Sequence, residues 1–448
     1  MTQLKPTPKP AGRHRDTLDQ LDSMTIPANP PTRSLYLCYF GLREPLVQTQ
    51  VLPYLSQLVG TGVHVSLITF EPKLHQRWTK QELATERARL TDKGIQWFYL
   101  PYHKRPSLPA TIYDIVAGAR LASRLIRRQG IKIIHARSHV PAAMGAIAKW
   151  MSGGYLIFDV RGFMPEEFTD GGVWPAGGFL YRWTKVMEQR LFSASDAFVV
   201  LTEKARSILF PNCSDEDRSG RPVEVIPCCV DQERFRVADV TSRDQVRAEL
   251  NLTDRRVIAY IGALGGWYLT DEMAEFLATA HRQHAATFSL ILTQSEPGRM
   301  AKRLRELGVA DQDYLVRKVP PEDVPRYLNA ADIGLSFIKP CYSKLSSSPT
   351  KIAEYLAGGL PVVSTAGIGD VDEILEGDNV GVVIREFNRE AYLRALLSIE
   401  SMRRDENLSA RCRASAWSRF DLEKVGGQRY RRLYKRLLER EKARRLLA

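Results

Sequence analysis

The sequence predicts an α/β protein made of two doubly wound parallel sheets in tandem. Three observations carry this reading. Short apolar runs alternate with longer amphipathic stretches along most of the chain; the alternation stops once, at "IPCCVDQERFRVADVTSRD", and then resumes; and 448 residues are more than one ordinary core accommodates.

In the first half the strand candidates are "SLYLCYF", "VHVSLITF", "IQWFYL", "IKIIHA", "YLIFDV", "DAFVVL" and "VEVIP". Helical patterns lie between most of them, over 46–59, 80–93, 111–129 and 178–192. After the break the strand candidates are "RRVIAYIGAL", "TFSLILTQ", "YLVRKV", "ADIGLSF", "LPVVST" and "VGVVI". The expected division is a Pro-rich, polar, disordered tail over 1–33, a Rossmann-like domain over 34–235, a second over 236–418, and a basic amphipathic helix over 419–448. Ligands of such sheets bind beyond the carboxyl ends of the strands, so the cleft between the halves is the expected site.

Composition narrows the class. Hydrophobic residues make up 44% and charged residues 26%, as in soluble globular proteins, and no apolar run is long enough to span a bilayer. The start, "MTQLKPTPKPAGRHRD", lacks the apolar stretch of a secretory signal. Six scattered cysteines, with Cys228 and Cys229 adjacent, fit neither a zinc site nor a disulfide framework and point to a reduced, cytoplasmic protein. The net charge of +13 is concentrated at the end, where residues 401–448 hold 15 Arg and Lys against 6 Asp and Glu. There Tyr430, Leu433, Tyr434, Leu437 and Leu438 form one helical stripe expected to dock on the protein, leaving a basic side free for an anionic membrane surface. No basic groove studded with aromatics is apparent, so nucleic acid is not an expected partner.

The chemistry concentrates in "SSSPTKIAEYLAGGLPVVST", residues 346–365. Ser348 as cap, Pro349 at the first position and Thr350 after it read as a helix start whose free N–H groups suit a phosphate. Lys351 in the first turn adds charge of the wrong sign for the helix dipole, which calls for an anionic ligand, and Glu354 could accept hydrogen bonds from sugar hydroxyls. Gly262, Gly265 and Gly266 follow the first strand of the second half, and Gly41 the first strand of the chain; each would let backbone approach a ligand. Arg137 and His139 close a strand at the cleft side and are the better cleft candidates, whereas His135 reads rather as a hydrogen-bonded core histidine. Arg161, followed by Glu166, could stabilise a leaving phosphate or hold an acidic acceptor, or simply pair with Asp159 or Glu166.

"SPTKIAEYLAGGLPVV" resembles the donor-site segment of family 4 glycosyltransferases, retaining enzymes with the GT-B fold. "YFGLREPLVQTQVLPYLSQLVGTGVHVSLITFE", "IIHARSHVPA", "FDVRGFMPEE", "VLTEKA", "VIPCCVDQERF" and "YIGALGGWY" resemble further signposts of that family, in the same order. The resemblance implies a nucleotide diphosphate sugar as donor, bound by the second half. It also implies a glycan or lipid-linked acceptor bound by the first half, and front-face displacement without a metal or other cofactor. Taken with the residues' own chemistry, which alone and not the family assigns diphosphate charge to Lys351, donor contacts then fall to Gly262, Gly265, Gly266, Ser346, Ser348, Thr350, Lys351 and Glu354. Acceptor contacts fall to Gly41, Arg137, His139, Arg161 and Glu166, and catalysis to Arg161, Lys351 and Glu354.

Glu354 matches the second of two family glutamates, the one that contacts the ribose. Ser346 stands where the first would be, and Gly265-Gly266-Trp267-Tyr268 replaces a common Lys-Gly. Both departures bear on the donor sugar. A GT-B epimerase or donor hydrolase, or a non-catalytic GT-B-like protein binding lipid or nucleic acid, are the competing readings.

Overall fold

The computed structural model describes residues 32–236 and 241–447. The tail expected over 1–33 lies outside the described residues up to position 31, as do positions 237–240 of the expected connection.

All thirteen strand candidates form strands. The first sheet comprises β1 (Arg33–Cys38), β2 (His64–Pro72), β3 (Ile95–Tyr102), β4 (Ile133–Arg137), β5 (Tyr155–Val160), β6 (Ala197–Val200) and β7 (Val223–Val225). The second comprises β8 (Arg256–Ile261), β9 (Thr287–Leu292), β10 (Tyr314–Arg317), β11 (Ile333–Ser336), β12 (Val362–Thr365) and β13 (Gly381–Ile384). The orders are β3-β2-β1-β4-β5-β6-β7 and β10-β9-β8-β11-β12-β13. Neighbouring strands run parallel in both sheets. Each order reverses once, at β1/β4 and at β8/β11, which is where a doubly wound sheet opens a crevice for a ligand.

Helices cover both faces of each sheet because the strands are apolar on both sides. One face of the first sheet packs Leu35, Ile134, Phe158 and Phe198 under the helices Ser107–Gln129, His139–Ser152 and Phe179–Ala194. The helical pattern read over 46–59 is two helices, Pro45–Gln50 and Leu52–Val59, broken at Val51. Pro53 at the second position of the later helix accounts for the break, since it cannot continue the earlier hydrogen-bond ladder.

The end of the chain crosses between the halves. Leu408, Cys412, Ala416 and Phe420 of helix Leu408–Phe420 lie in the core of the second half. The next helix, Gln428–Leu447, buries Tyr430, Leu433, Tyr434 and Leu437 against the free face of the first sheet, with Leu438 at its edge. The stripe therefore docks as its periodicity predicts.

Its basic side is less free than expected. Arg432 pairs with Glu224, Arg436 with Asp215 and Glu216, and Arg429 donates to the Val225 carbonyl. Carboxylates and backbone carbonyls of the first half already occupy these guanidinium groups, because β7 and the loop before it run alongside the helix. Leu433 is fully buried in this seam, so Leu433→Ala is expected to cost about 2–5 kcal/mol. A urea titration followed by tryptophan fluorescence would read that loss as an earlier midpoint for the first half.

Candidate active site

The site begins at the end of β8, where the chain leaves the second sheet at its switch point. Gly262 there has φ +129°, a conformation that side-chain-bearing residues rarely adopt. A Cβ on it would also come within 3.0 Å of the Lys351 Nζ. Lys351 comes from the helix Thr350–Ala357, which Tyr355 fixes to the sheet: its hydroxyl accepts from Ile261 N (2.8 Å) and donates to the Leu335 carbonyl (2.9 Å).

Lys351 is 5% exposed, and its ammonium lies 4.2 Å from the ring centroids of both Tyr260 and Tyr268. It has no hydrogen-bond partner among the described residues. Burial lowers its pKa to about 7, against a weaker opposing pull from Glu354. An orphan ammonium between two rings and a glycine turn is the arrangement that a bound anion would complete.

Glu354 lies one turn further on, 3.9 Å from Arg234. With Thr350, Gln50 and Asp231 it lines a cavity of about 170 Å³ between the halves. Burial raises its pKa, and Arg234 and Lys351 counter that rise. Its carboxyl accepts no hydrogen bond among the described residues, so it is available to hydroxyl donors. On the other side of the same helix start, Ser347, Pro349 and Ile352 face a larger cavity of about 590 Å³, which Lys204, Arg419 and Arg429 also line.

The serines differ from their sequence reading. Ser348 does not cap the helix; Pro349 stands at the cap without a side-chain bond, and Ser348 Oγ accepts from Cys228 N of the first half (3.1 Å). Ser346 is buried, accepts from Phe163 N (3.1 Å) and donates to the Ser343 carbonyl (2.7 Å). Both hydroxyls fasten the two halves together. Lys344, which the sequence did not single out, stacks 4.0 Å above the Trp267 ring and pairs with Glu167 at 3.1 Å. Arg234 was missed as well. Its place in "DQERF" carries no local signal, because only the fold brings it to Glu354.

In the first half, register aligns Cys38, Arg137 and Asp159 across the ends of β1, β4 and β5. Asp159 is the buried hub, reached by Arg161 (3.4 Å), His135 (3.6 Å), Arg137 (3.9 Å) and the Tyr430 hydroxyl (3.4 Å). Burial would raise its carboxyl, but Arg161, His135 and Arg137 pull it down to about 2. Burial lowers the His135 pKa and favours the neutral ring, with Tyr434 at 3.2 Å from Nδ1, so it is a core histidine. Two guanidinium groups thus share one carboxylate, leaving excess positive charge under the cleft.

Three other residues have different surroundings from those expected. His139 is buried and bonded to Glu188 (2.9 Å), turned toward helix Phe179–Ala194. Gly41 is required by its own chain, since a Cβ there would strike Pro72 at 2.7 Å and Glu71 at 2.9 Å; it lines a cavity of about 240 Å³ with Glu71, Pro72 and Trp78. Glu166 pairs with Lys185 and Tyr181 at 3.1 Å each, while its Oε2 is buried without a partner among the described residues. Gly265 and Gly266 have φ +78° and +61° with open space around them, so a left-handed turn is what requires them.

Two Rossmann-like parallel-sheet domains joined across a cleft define the GT-B class. Comparison with known proteins agrees. Residues 47–229 match the family model "Glycosyl transferase 4-like domain", and residues 242–418 match "Glycosyl transferases group 1". The chain belongs to the GT-B glycosyltransferases of the family 4-like group.

Among solved structures, a glycosyltransferase from Rickettsia africae is similar at TM-score 0.68 and 14% identity, covering 92% of this chain and 99% of that one. The sucrose-phosphate synthase of Thermosynechococcus elongatus is similar at TM-score 0.70 and 15% identity, covering 91% and 99%. HepE of Anabaena, solved with UDP and glucose, is similar at TM-score 0.64 and 14% identity, covering 90% and 100%. No curated protein sequence matches the chain.

Two expectations test this geometry. The folded-state pKa of Lys351 lies below its unfolded value, so its burial costs stability at neutral pH and less as pH rises from about 7 toward 10.5. Lys351→Met should therefore raise the thermal midpoint of the ligand-free protein near pH 7, by roughly 1–3 kcal/mol in stability, with the gain shrinking in a scan at alkaline pH. Restoring the family residue with Ser346→Glu should lower the midpoint, because the larger side chain overpacks a buried strut and strips Phe163 N of its acceptor, at about 1–3 kcal/mol. A Ser346→Glu protein as stable as the parent would show that the position has room for a donor contact.

Proposed function

We propose that the protein transfers a sugar, with retention of configuration, from a nucleoside diphosphate sugar to an acceptor hydroxyl in the synthesis of a polysaccharide or glycolipid. The observation that carries the donor side is the buried, unpartnered Lys351 ammonium against Gly262. In this reading it takes the charge of the diphosphate, together with the free N–H groups at the start of its helix. Glu354 accepts from the ribose hydroxyls beyond it. UDP and glucose bound in HepE are what that protein holds; a nucleoside diphosphate sugar at the corresponding end of the second sheet here is the proposal.

The acceptor lies against the first half, above Arg137 and Arg161. Their excess positive charge favours the anionic leaving group or an acidic acceptor. As the bond from the anomeric carbon to the diphosphate oxygen breaks, the acceptor oxygen bonds to the same face. The acceptor proton passes to the leaving diphosphate. Arg161 remains protonated throughout, so its part is electrostatic. No metal is required for any of these steps in the proposed reaction.

Glu354→Ala should lower turnover by about a hundredfold or more while leaving the thermal midpoint of the ligand-free protein within a few degrees. Screening nucleoside diphosphate sugars by thermal shift, then analysing products by chromatography, checks both parts. A new glycoside with the donor's anomeric configuration supports the reading. Free sugar alone, an epimerised donor, or full activity in Glu354→Ala overturns it.

A further inference from the structure

The three helices that cover one face of the first sheet, Ser107–Gln129, His139–Ser152 and Phe179–Ala194, pack side by side. Their inward residues fill a single apolar core. Their outward residues are unusual for a solvated surface. Trp150 is 86% exposed and Phe179 80%, and Tyr113, Ile147, Trp183 and Val186 are exposed on the same three helices. Bulky aromatic groups held in water on neighbouring helices mark an interaction surface.

The exposed charges on the same helices are of one sign. Arg120, Arg124, Arg127, Arg182 and Arg190 are exposed. The three helices contain two carboxylates, Asp114 and Glu188, and both are buried, bonded to Tyr39 and His103 and to His139 and Lys185 respectively. The face therefore offers exposed arginines and aromatic rings with no exposed acid from these helices.

We propose that this face docks on an anionic lipid bilayer, with Phe179, Trp183 and Trp150 in the interfacial layer and the arginines at the headgroup phosphates. The mixture of aromatic and cationic groups on a helical face is what an interfacial surface requires. A second copy of the chain fits less well, because a two-fold contact would set arginines against arginines. The surface differs from the C-terminal helix, where Arg432 and Arg436 already have carboxylate partners.

The face is joined to the cleft. On helix Phe179–Ala194, Phe179, Trp183 and Val186 point outward, while Tyr181 and Lys185 reach Glu166 on the segment after β5. A docked face would hold the acceptor side of the cleft beside the bilayer. This consequence rests on the proposed function, whereas docking itself does not.

The test uses the full chain and vesicles of phosphatidylglycerol mixed with phosphatidylcholine, against phosphatidylcholine alone, at low salt. Cosedimentation and a blue shift of tryptophan emission are expected with the anionic vesicles only. The double variants Phe179→Ser with Trp183→Ser, and Arg182→Gln with Arg190→Gln, should each weaken partitioning roughly tenfold or more, with unchanged circular dichroism. Arg431→Gln with Lys435→Gln, on the C-terminal helix, should leave it unchanged.

Absence of binding to anionic vesicles overturns the proposal, as does equal binding to neutral ones. So does binding that survives both face variants or is lost with the C-terminal pair. Self-association in light scattering that the face variants abolish, without vesicle binding, would assign the surface to a second copy and also overturn it.

Discussion

The segment between β11 and the helix at Thr350 is held by both halves of the molecule, and the positions of Lys351 and Glu354 follow from that. Ser343 N donates to Asp170, the Lys344 ammonium to Glu167, Thr202 Oγ1 to the Leu345 carbonyl, Phe163 N to Ser346 Oγ, and Cys228 N to Ser348 Oγ. Five hydrogen bonds from three separate segments of the first half, those after β5, β6 and β7, meet a stretch of six consecutive residues of the second. Asp370 extends the seam by accepting from Glu203 N and Lys204 N. Buried or half-buried bonds of this kind each contribute modestly, but breaking one strands its partner, so together they hold the halves in register. The helix that follows inherits that placement.

Electrostatics along this seam are unbalanced, and the imbalance has direction. Lys351 is buried without an acceptor, and Arg137 and Arg161 share Asp159. Both sides of the cleft thus pay for positive charge that the protein alone does not neutralise. An anion bound between them would recover part of that cost, which ties ligand affinity to the same burial that weakens the ligand-free state. The Asp159 hub also links the cleft to the end of the chain, since Tyr430 and Tyr434 of the last helix complete the surroundings of Asp159 and His135.

That last helix changes what a domain means here. The sequence places it after the second domain, yet its apolar stripe finishes the core of the first sheet. The two halves are therefore connected twice, once near residue 230 and once through Asp421, which bridges to Val230. While Arg432 and Arg436 of this helix are paired to Glu224, Asp215 and Glu216, the opposite face of the first sheet carries exposed arginines and aromatic rings on its three helices.

Periodicity and spacing by themselves determined the thirteen strands, the division into two parallel sheets and the apolar stripe of the last helix, because apolar alternation is a local property of the chain. Only the tertiary structure decided the rest. Ser346 and Ser348 look like ligand contacts in the sequence, and whether a hydroxyl meets a phosphate or a backbone N–H depends on how closely the other half approaches. Arg234 and Lys344 gave no signal, since their partners Glu354 and Glu167 lie more than a hundred residues away. His139 sits in a pattern that suits a cleft, but packing turns its Nε2 to Glu188, 49 residues away in sequence. A short-range pattern can fix which residue types face a sheet end; the contacts that commit them are made by distant segments, and only packing brings those together.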